Sequence, residues 1–502
     1  MSSEYKTSGR SGVKAYYPLD INEFVSAYLK SMKDRTQKAV GETAVGSMLL
    51  NTLLSFVIGQ GLEAQSAPEN TVLKWSDEQV SKFMSDSEAF FRQYAGSTRI
   101  DFYGRYNFNQ LQQIAFRECA KDGDSLQHRS YRRANKYHDN DPYVQVLSGK
   151  WVRQPLGDPD NKRLIGGVEF DGYGREVGYR IAETTDILMD KFETYPVRRF
   201  NPKTGFEEYR LVRLDMREAN QVRGIPFLQP VLEDIFDLET FKSAYKAKAA
   251  VQALFTGVIT SEKDAPAPAV STLESIKTLS KPTMPNPDGP VATSPDGVSD
   301  VSLGTGNIIE LNPGEKFDMA ESKVPATDYA KFVETELSHI AAGCGYGGLA
   351  YEMVLQKYSN NYSASRATIA GQEKKFRNIR DAFAFGFCQP VWEQVIDWGI
   401  RKGYIEAPGY IEGDWRFKQA VLSCTWIGPS PINIDPKSEI EAHILAIGNN
   451  LETKEDAIRE LFGRDGDETL QRRRKEIEAE NGLPAIQTSS QTREENISNE
   501  RK

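Results

Sequence analysis

Residues suited to covalent or metal chemistry are scarce in this 502-residue chain. Its four cysteines (Cys119, Cys344, Cys388, Cys424) are widely spaced and never form a C-x-x-C pair. They read as free thiols of a reducing cytoplasm, not as a disulfide framework or a zinc site. The four histidines (His128, His138, His339, His443) stand far apart, without H-E-x-x-H or a Cys/His spacing fit for zinc. Gly-Lys-Ser/Thr and G-x-S-x-G are also missing, which removes the signatures of a phosphate loop and of a nucleophile elbow. No run of about 18 apolar residues exists, so no transmembrane helix is expected. The start, "MSSEYKTSGRSGVKAYYPLD", lacks the apolar segment of a secretory signal. The expectation is a protein with no cofactor, no metal and no membrane.

What is present belongs to a folded chain. Hydrophobic content is 39% and charged content 26%, and the length suits two to four domains, each with its own core. A net charge of −9 argues against a protein that grips nucleic acid through many phosphate contacts. It leaves room for one that encloses DNA and lets it slide.

Periodicity divides the chain. The pattern is amphipathic from about Ile21 to Lys38. "AVGSMLLNTLLSFVIGQGL" has the character of a core helix followed by a strand. Ser76–Asp77–Glu78 starts a helix that runs through Phe91, and another spans about Asn109 to Cys119, stopping before Asp122–Gly123. From Leu126 to Val212 short β runs take over, the clearest being "GGVEFDGYGREVGYRI" with a hairpin turn at Asp171–Gly172–Tyr173–Gly174. Next, Val231, Ile235, Leu238, Phe241, Tyr245 and Ala249 recur near a 3.6 spacing. They predict a helix of about 28 residues with Pro226 in its first turn, ending near Gly257.

Residues 261–325 hold nine of the chain's 24 prolines, which excludes long helix and favours turns and short strands such as "GNIIEL". A second helix follows over residues 326–343. Helix, Pro-rich insertion and returning helix imply two antiparallel rods with a small module at the tip. The polar stretch "LQKYSNNYSASRA" (residues 355–367) then leads into the longest helical pattern of the chain, to about Tyr404, with Ser363 or Ser365 able to cap its start and a kink expected near Phe387–Gln389 because of Pro390. A strand-like stretch, "AVLSCTWIGPSPINIDP", precedes two or three short charged helices broken at Gly448 and Gly463, and then a polar tail.

Candidate chemistry is weak at each place. The glycines of "AAGCGYGGLAYE" follow a helix, where a phosphate loop needs a strand before and a helix after, so helix termination is the better reading. "RDGDET" lacks the register of a calcium loop and reads as a turn between helices. His339 and His443 fall in helical patterns as packing or surface residues. The basic groups Lys242/Lys246/Lys248, Lys374/Lys375/Arg377/Arg380 and Arg472–Lys475 each read first as solvated helix faces.

The order of these pieces resembles the portal proteins of tailed bacteriophages, specifically the lambda-type portal family. The matching stretches include "GGVEFDGYGREVGYRI", "ANQVRGIPFLQPVLEDIFDLETFKSAYKAKAAVQALFTG", "ELNPGEKF", "DYAKFVETELSHIAAGCGYGGLAYE", "NYSASRATIAGQEKKFRNIRD" and "INIDPKSEIEAHILAIGNNLETKEDAIRELFGRDGDE". Each is weak alone, but they occur in the family's order from about Leu50 to Leu483.

The resemblance implies an α+β portal fold with an α/β wing, an antiparallel helical stem, a small Pro-rich clip, a long kinked helix and a helical crown. It divides the chain into an N-terminal arm and wing (1–223), stem helix (224–257), clip (258–325) and second stem helix (326–343). A tunnel loop, long helix and wing return (344–435), a crown (436–484) and a polar tail (485–502) follow. It implies a homo-oligomeric ring, usually a 12-mer, at one capsid vertex of the virion, assembled in the host bacterial cytoplasm. Double-stranded DNA would pass through without sequence readout during packaging and ejection, and a few loop contacts to its backbone suffice for that.

The resemblance also implies partners and sites. The partners are the terminase motor, head-completion or adaptor proteins, and the major capsid and scaffolding proteins. The tunnel loop would present Lys357, Tyr358, Asn360, Asn361 and Tyr362, and Lys242, Lys246, Lys248 and Arg366 are the basic residues that could face the channel. Motor docking would fall on the clip residues Lys281, Pro282, Pro285, Pro287, Asp288 and Asp296. No catalysis is expected, since the ATPase belongs to the terminase.

Two other readings compete. A DNA-processing enzyme, a nuclease or terminase-like subunit, would need clustered carboxylates; Asp139 and Asp141 in "HDNDP" are near one another but sit in a turn-rich segment. A scaffold or adaptor of the same particle fits the helix–clip–helix order less well.

Overall fold

The structure is a computed structural model that describes residues 20–155, 163–182, 194–254, 258–261, 315–318, 326–357, 362–430, 436–464 and 466–480. It mixes helix and sheet, as expected, and falls into two compact units: Met1–Leu232 with Ser338–Lys502, and Glu233–Leu337.

The first unit begins with α1 (Ile21–Glu42), whose Asp20 cap accepts the Asn22 N–H, and α2 (Ala44–Val57), capped by Thr43. The chain bends by 96° between them, and no single described helix is long and apolar enough to cross a membrane. Leu49, Leu50, Leu53 and Val57 make α2 a core helix, as its composition predicts. β1 (Glu63–Ser66) follows, then α3 (Asn70–Leu73). α4 (Asp77–Ala95) and α5 (Phe108–Asp122) each start with a reciprocal capping box, Ser76 with Gln79 and Asn107 with Gln110. The second stops at Gly123 in the left-handed region, φ 86°.

The β region forms two sheets. β2 (Asp124–Tyr131) is the centre of a three-stranded sheet, flanked by β3 (Pro142–Ser148) and β8 (Tyr209–Arg213). β4 (Leu164–Ile165), β5 (Val168–Phe170), β6 (Glu176–Ala182) and β7 (Thr194–Arg198) form a four-stranded antiparallel sheet in chain order. The glycine-supplied turn joins β5 to β6, where the Asp171 carboxylate accepts the Tyr173 and Arg175 N–H groups. Alternation then places Leu126, Leu147 and Leu211 of the first sheet in one core with Val168, Tyr179 and Ile181 of the second. On the opposite face of β2, Gln127 and Arg129 donate to the Phe387 and Pro390 carbonyls.

The long helical pattern is two helices. α9 (Tyr362–Phe383) and α10 (Gln389–Arg401) are joined by a π-helical turn at Ala384–Cys388. The interruption lies where Pro390 predicts it, but its form is a widened turn: the Gln389 N–H reaches back five residues to the Ala384 carbonyl. Pro390 has no N–H to continue the α pattern, and Phe387 and Cys388 are wholly buried there. The helix also starts earlier than expected, at Tyr362, so Ser363 and Ser365 lie inside it and neither precedes it as a cap; Ser365 is buried.

Three further expectations change. Pro226 lies outside the stem helix; a 3-10 turn, Gln229–Val231, carries Pro230 as its second residue, and α6 spans Leu232–Leu254. The reason is tertiary, because the Phe227 carbonyl, which a helix starting at Pro226 would turn to an N–H four residues on, accepts the Gly345 N–H instead. Ala420 and Val421 close a short helix, α11 (Trp415–Val421), capped by Asp414, and among the described residues of this stretch only β11 (Cys424–Ile427) is strand, paired antiparallel with β1. "GNIIEL" lies outside the described residues. The C-terminal expectation holds: α12 (Pro436–Gly448), α13 (Lys454–Phe462) and α14 (Gly466–Glu480), with Gly463 capping the second of them at φ 57°.

In the second unit, α6 and α7 (Ala326–Gly343) carry a stack of rings. Phe241 meets Phe332 at 4.6 Å between centroids and Tyr245 meets Tyr329 at 4.1 Å. Advancing along one helix while retreating along the other requires the pair to be antiparallel. β9 (Val258–Ser261) and β10 (Glu315–Asp318) pair antiparallel with Ser261 opposite Glu315. The insertion therefore departs and returns at one two-stranded base.

Candidate functional site

Three places carry the geometry that function can use: the mount of the polar loop, the helix pair, and the junction from which the first rod leaves the sheet region.

The loop is mounted on α8 (Tyr351–Leu355), which buries Met353 and Val354. Gln356 closes this helix in the left-handed region, and the Lys357 N–H donates to the Glu352 carbonyl at 3.0 Å. Lys357 itself is exposed. Tyr358, Asn360 and Asn361 lie outside the described residues, and Tyr362 opens α9, with Arg366 exposed one turn further on. The mount is thus short and anchored on both sides.

Upstream, the glycines end α7. Tyr346, Gly347 and Gly348 all take positive φ, and a Cβ on Gly348 would stand 2.2 Å from the Ala342 carbonyl oxygen. The Gly345 N–H donates to the Phe227 carbonyl at 2.7 Å, and the Tyr346 ring stacks on Phe227 at 5.5 Å. This stretch therefore terminates a helix and locks it to the segment before α6, as the sequence implies.

The basic residues divide by use. Lys242 is half-buried and pairs with Glu239, whereas Lys246 and Lys248 are exposed. Lys242 and Lys246 share a face at i,i+4, but Lys248 is about 200° round from Lys246, so one face cannot present all three. On α9, Lys375 donates to the Gly347 carbonyl, Arg377 pairs with Glu460, and Arg380 donates to the Phe56 and Val57 carbonyls. These are structural contacts. Lys281, Pro282, Pro285, Pro287, Asp288 and Asp296 lie outside the described residues.

The carboxylates of the enzyme reading are also in use. Asp141 is buried between Arg132 and His138 and accepts the Asp139 N–H, while Asp139 pairs with Lys402 at 2.8 Å. One donor cluster of metal-ligand type appears among the described residues: His443, Glu452 and Glu460 lie within 4.8 Å of one another. His443 is paired with Glu452 at 2.7 Å and Glu460 with Arg377, so the cluster ties α12, α13 and α9 together through ion pairs. All four cysteines are free thiols. Burial pushes the Cys344 thiol up to about 12, far from a reactive thiolate at neutral pH.

Sequence reasoning missed the junction. Asp124, wholly buried, accepts from Lys33 Nζ at 3.0 Å, Arg223 Nε at 2.6 Å, Arg223 Nη2 at 2.8 Å and the Gly224 N–H at 3.2 Å. Arg223, 1% exposed, also donates to the Val152, Gly149 and Gly166 carbonyls. Burial pushes the Asp124 carboxyl up, but Arg223 and Lys33 outweigh it and hold it well below the usual carboxylate range. This knot ties α1, β2 and the segment around Arg223 together within the first unit.

The sequence pattern of the family described as phage portal protein, lambda family, matches residues 13–380. The chain belongs to the lambda family of phage portal proteins. Among portal relatives it is 21% identical over 430 residues to portal protein B of Escherichia phage lambda, spanning 83% of this chain and 79% of that protein. To the portal protein of Escherichia phage N15 it is 23% identical over 347 residues, 66% of this chain and 63% of that one. Solved structures similar to it include the virion of a native gene transfer agent particle, at 10% identity and a TM-score of 0.43, covering 86% of this chain and 92% of that one. The neck of the empty particle, computed with C6 symmetry, gives a TM-score of 0.44 at the same identity and the same two coverages.

Proposed function

We propose that this portal-family chain forms a homo-oligomeric ring, a 12-mer when assembled, at one vertex of a virion capsid, and that double-stranded DNA enters and leaves through its channel. Membership of the lambda portal family is the observation that carries this reading. The helix pair α6/α7 supports it: two antiparallel rods zipped by rings, with an insertion on a two-stranded base, suit a stem and an outward clip.

In this reading residues 1–223 are arm and wing, 344–435 return through the tunnel loop and long helix, and 436–484 form the crown. The loop tip, Lys357, Tyr358, Asn360, Asn361 and Tyr362, faces the channel. A single lysine with amides and hydroxyls touches the DNA backbone without trapping it. Arg366, Lys242, Lys246 and Lys248 are the further basic residues that could line the path. Lys281, Pro282, Pro285, Pro287, Asp288 and Asp296 belong to the face that docks the terminase motor and later head-completion or adaptor proteins. The particle assembles in the host bacterial cytoplasm with the major capsid and scaffolding proteins. The chain itself catalyses nothing; hydrolysis of ATP belongs to the motor.

The test is electron microscopy of the purified protein. Rings with a central hole, seen down the axis, support the proposal. A strictly monomeric species at every concentration and salt overturns it.

A further inference from the structure

Two loops of the first unit, residues 97–106 and 131–138, are bolted together. Arg132 donates from its two terminal nitrogens to the Arg99 and Asp101 carbonyls, both at 2.5 Å. Arg99 in turn donates to the Tyr137 carbonyl at 2.9 Å, and the Phe102 N–H to the Val144 carbonyl at 2.9 Å. The buried Asp101 carboxylate takes the Arg105 and Tyr106 N–H groups. Every carbonyl and carboxylate in that sequence of bonds is spent on the platform itself.

The side chains left on its surface are cationic. Arg99, Arg105, Arg133 and Lys136 are exposed, in a chain whose net charge is −9. Asp139, three residues from Lys136, is paired with Lys402, and Asp141 is buried against Arg132 and His138. Arg105, Arg133 and Lys136 have no carboxylate partner among the described residues. Aromatic rings stand between these charges: Phe102, Tyr103 and Tyr137 are 44%, 50% and 71% exposed. The Arg105 guanidinium lies 5.4 Å over the Tyr103 ring and the Lys136 ammonium 5.7 Å from the Tyr137 ring. The rings hold the cation heads in place instead of leaving them free to wander.

We propose that this platform is a second, sequence-independent docking surface for the phosphate backbone of duplex DNA. Unneutralised cations on a fixed base, with tyrosine rings beside them, match a line of phosphates and offer nothing that would read a base edge. Two of the rings, Tyr103 and Tyr137, already carry a cation of their own, which disfavours stacking of unpaired bases there and points to the intact duplex. This surface does not depend on the ring or on the channel loop.

The experiment uses the full-length chain and a labelled duplex of about 30 base pairs, with binding followed by fluorescence anisotropy over a NaCl series. The variant Arg105→Glu/Arg133→Glu/Lys136→Glu should bind more weakly by at least roughly tenfold. Its plot of log affinity against log salt should flatten by about 2 to 3, close to 0.9 for each phosphate no longer neutralised. Arg105→Gln/Arg133→Gln/Lys136→Gln should fall between it and the parent, with an unchanged circular dichroism spectrum for both. Unchanged affinity and slope overturn the proposal. So does an equal loss from Arg472→Glu/Arg473→Glu/Arg474→Glu, which would reduce the effect to net charge. A changed oligomer distribution with unchanged DNA affinity overturns it too, because the platform would then meet another copy of the chain. If Lys357→Glu abolishes DNA affinity while the platform variant keeps it, this inference fails and the channel-loop reading stands.

Discussion

Replacing Asp124 with Asn should unfasten the buried knot that ties α1, β2 and the segment around Arg223 together. The side chain is 0% exposed and accepts four hydrogen bonds from Lys33, Arg223 and the Gly224 N–H. Charged hydrogen bonds contribute about 1.5–3 kcal/mol each, but burying the ions costs several kcal/mol, so the bonds do not simply add. What the substitution leaves behind sets the loss. Arg223 cannot shed its proton and would sit 1% exposed without a counter-charge. Removal of one partner from such a buried set costs about 3–5 kcal/mol.

The pH dependence carries the sharper signature. Asp124 has a folded pKa below its unfolded one, so its contribution is present above about pH 4 and is lost as acid titrates the folded carboxylate. Lys33 has the opposite consequence. Burial, helped by Arg223, pushes its ammonium down from 10.5 to about 8. Between those values the unfolded chain holds a proton that the folded chain has released, so stability rises with pH across that window. Without Asp124, Lys33 loses the carboxylate that raises its pKa, and the rise should begin at lower pH. Urea unfolding followed by tryptophan fluorescence, at half-unit steps of pH, reads both effects. A loss under about 1 kcal/mol at pH 7, or a rise that starts where the parent's does, would refute the reasoning.

Lys357→Glu should leave ring assembly intact and impair DNA packaging or retention; unchanged packaged length and particle yield would remove that residue from the channel. Deleting residues 281–296 should weaken motor or adaptor docking, and unaltered binding in a pull-down rejects the clip assignment. The Tyr245–Tyr329 stack should show a coupling of about 0.5–1.5 kcal/mol in a double-mutant cycle with alanine, and additivity would mean the rods are held elsewhere. Gly348→Ala forces a side chain onto a backbone at φ 75°, 2.2 Å from a carbonyl oxygen, and should cost at least about 1–2 kcal/mol in thermal unfolding. An unshifted transition would mean the turn rebuilds.

The elements legible in the sequence are those whose signals lie within a few residues. Ser76 with Gln79 starts a helix, Gly123 and Gly463 stop helices, and the Asp171–Arg175 turn needs only its own carboxylate. Where a distant partner decides, local pattern misleads. Pro226 suits a first turn by its chemistry, but the Phe227 carbonyl is engaged by the distant Gly345 N–H, so the helix waits for Pro230. The site divides in the same way. The polar stretch before the long helix is visible in local pattern, though the short helix Tyr351–Leu355 that mounts it is not, and Arg132, Arg133 and Lys136 look in sequence like one more short run of charge. Only the pairing of two loops turns them into a surface.

The junction knot is the extreme case, since Lys33 and Arg223 lie 91 and 99 positions from Asp124 and buried charge has no distinct spelling. Yet the sequence holds a trace of it in two glycines. Gly123 precedes the aspartate and Gly224 follows the arginine, and a Cβ on Gly224 would stand 1.8 Å from the Gly123 carbonyl oxygen. No other residue lets these backbones touch, and it is their contact that carries Asp124 within 2.6 Å of Arg223. A bulky residue at either glycine should therefore break the ion pair without altering a charge. Gly224→Ala should reproduce both the stability loss and the changed pH profile of Asp124→Asn, and a variant that lost stability while keeping the parent's profile would show that the glycines and the charges act separately.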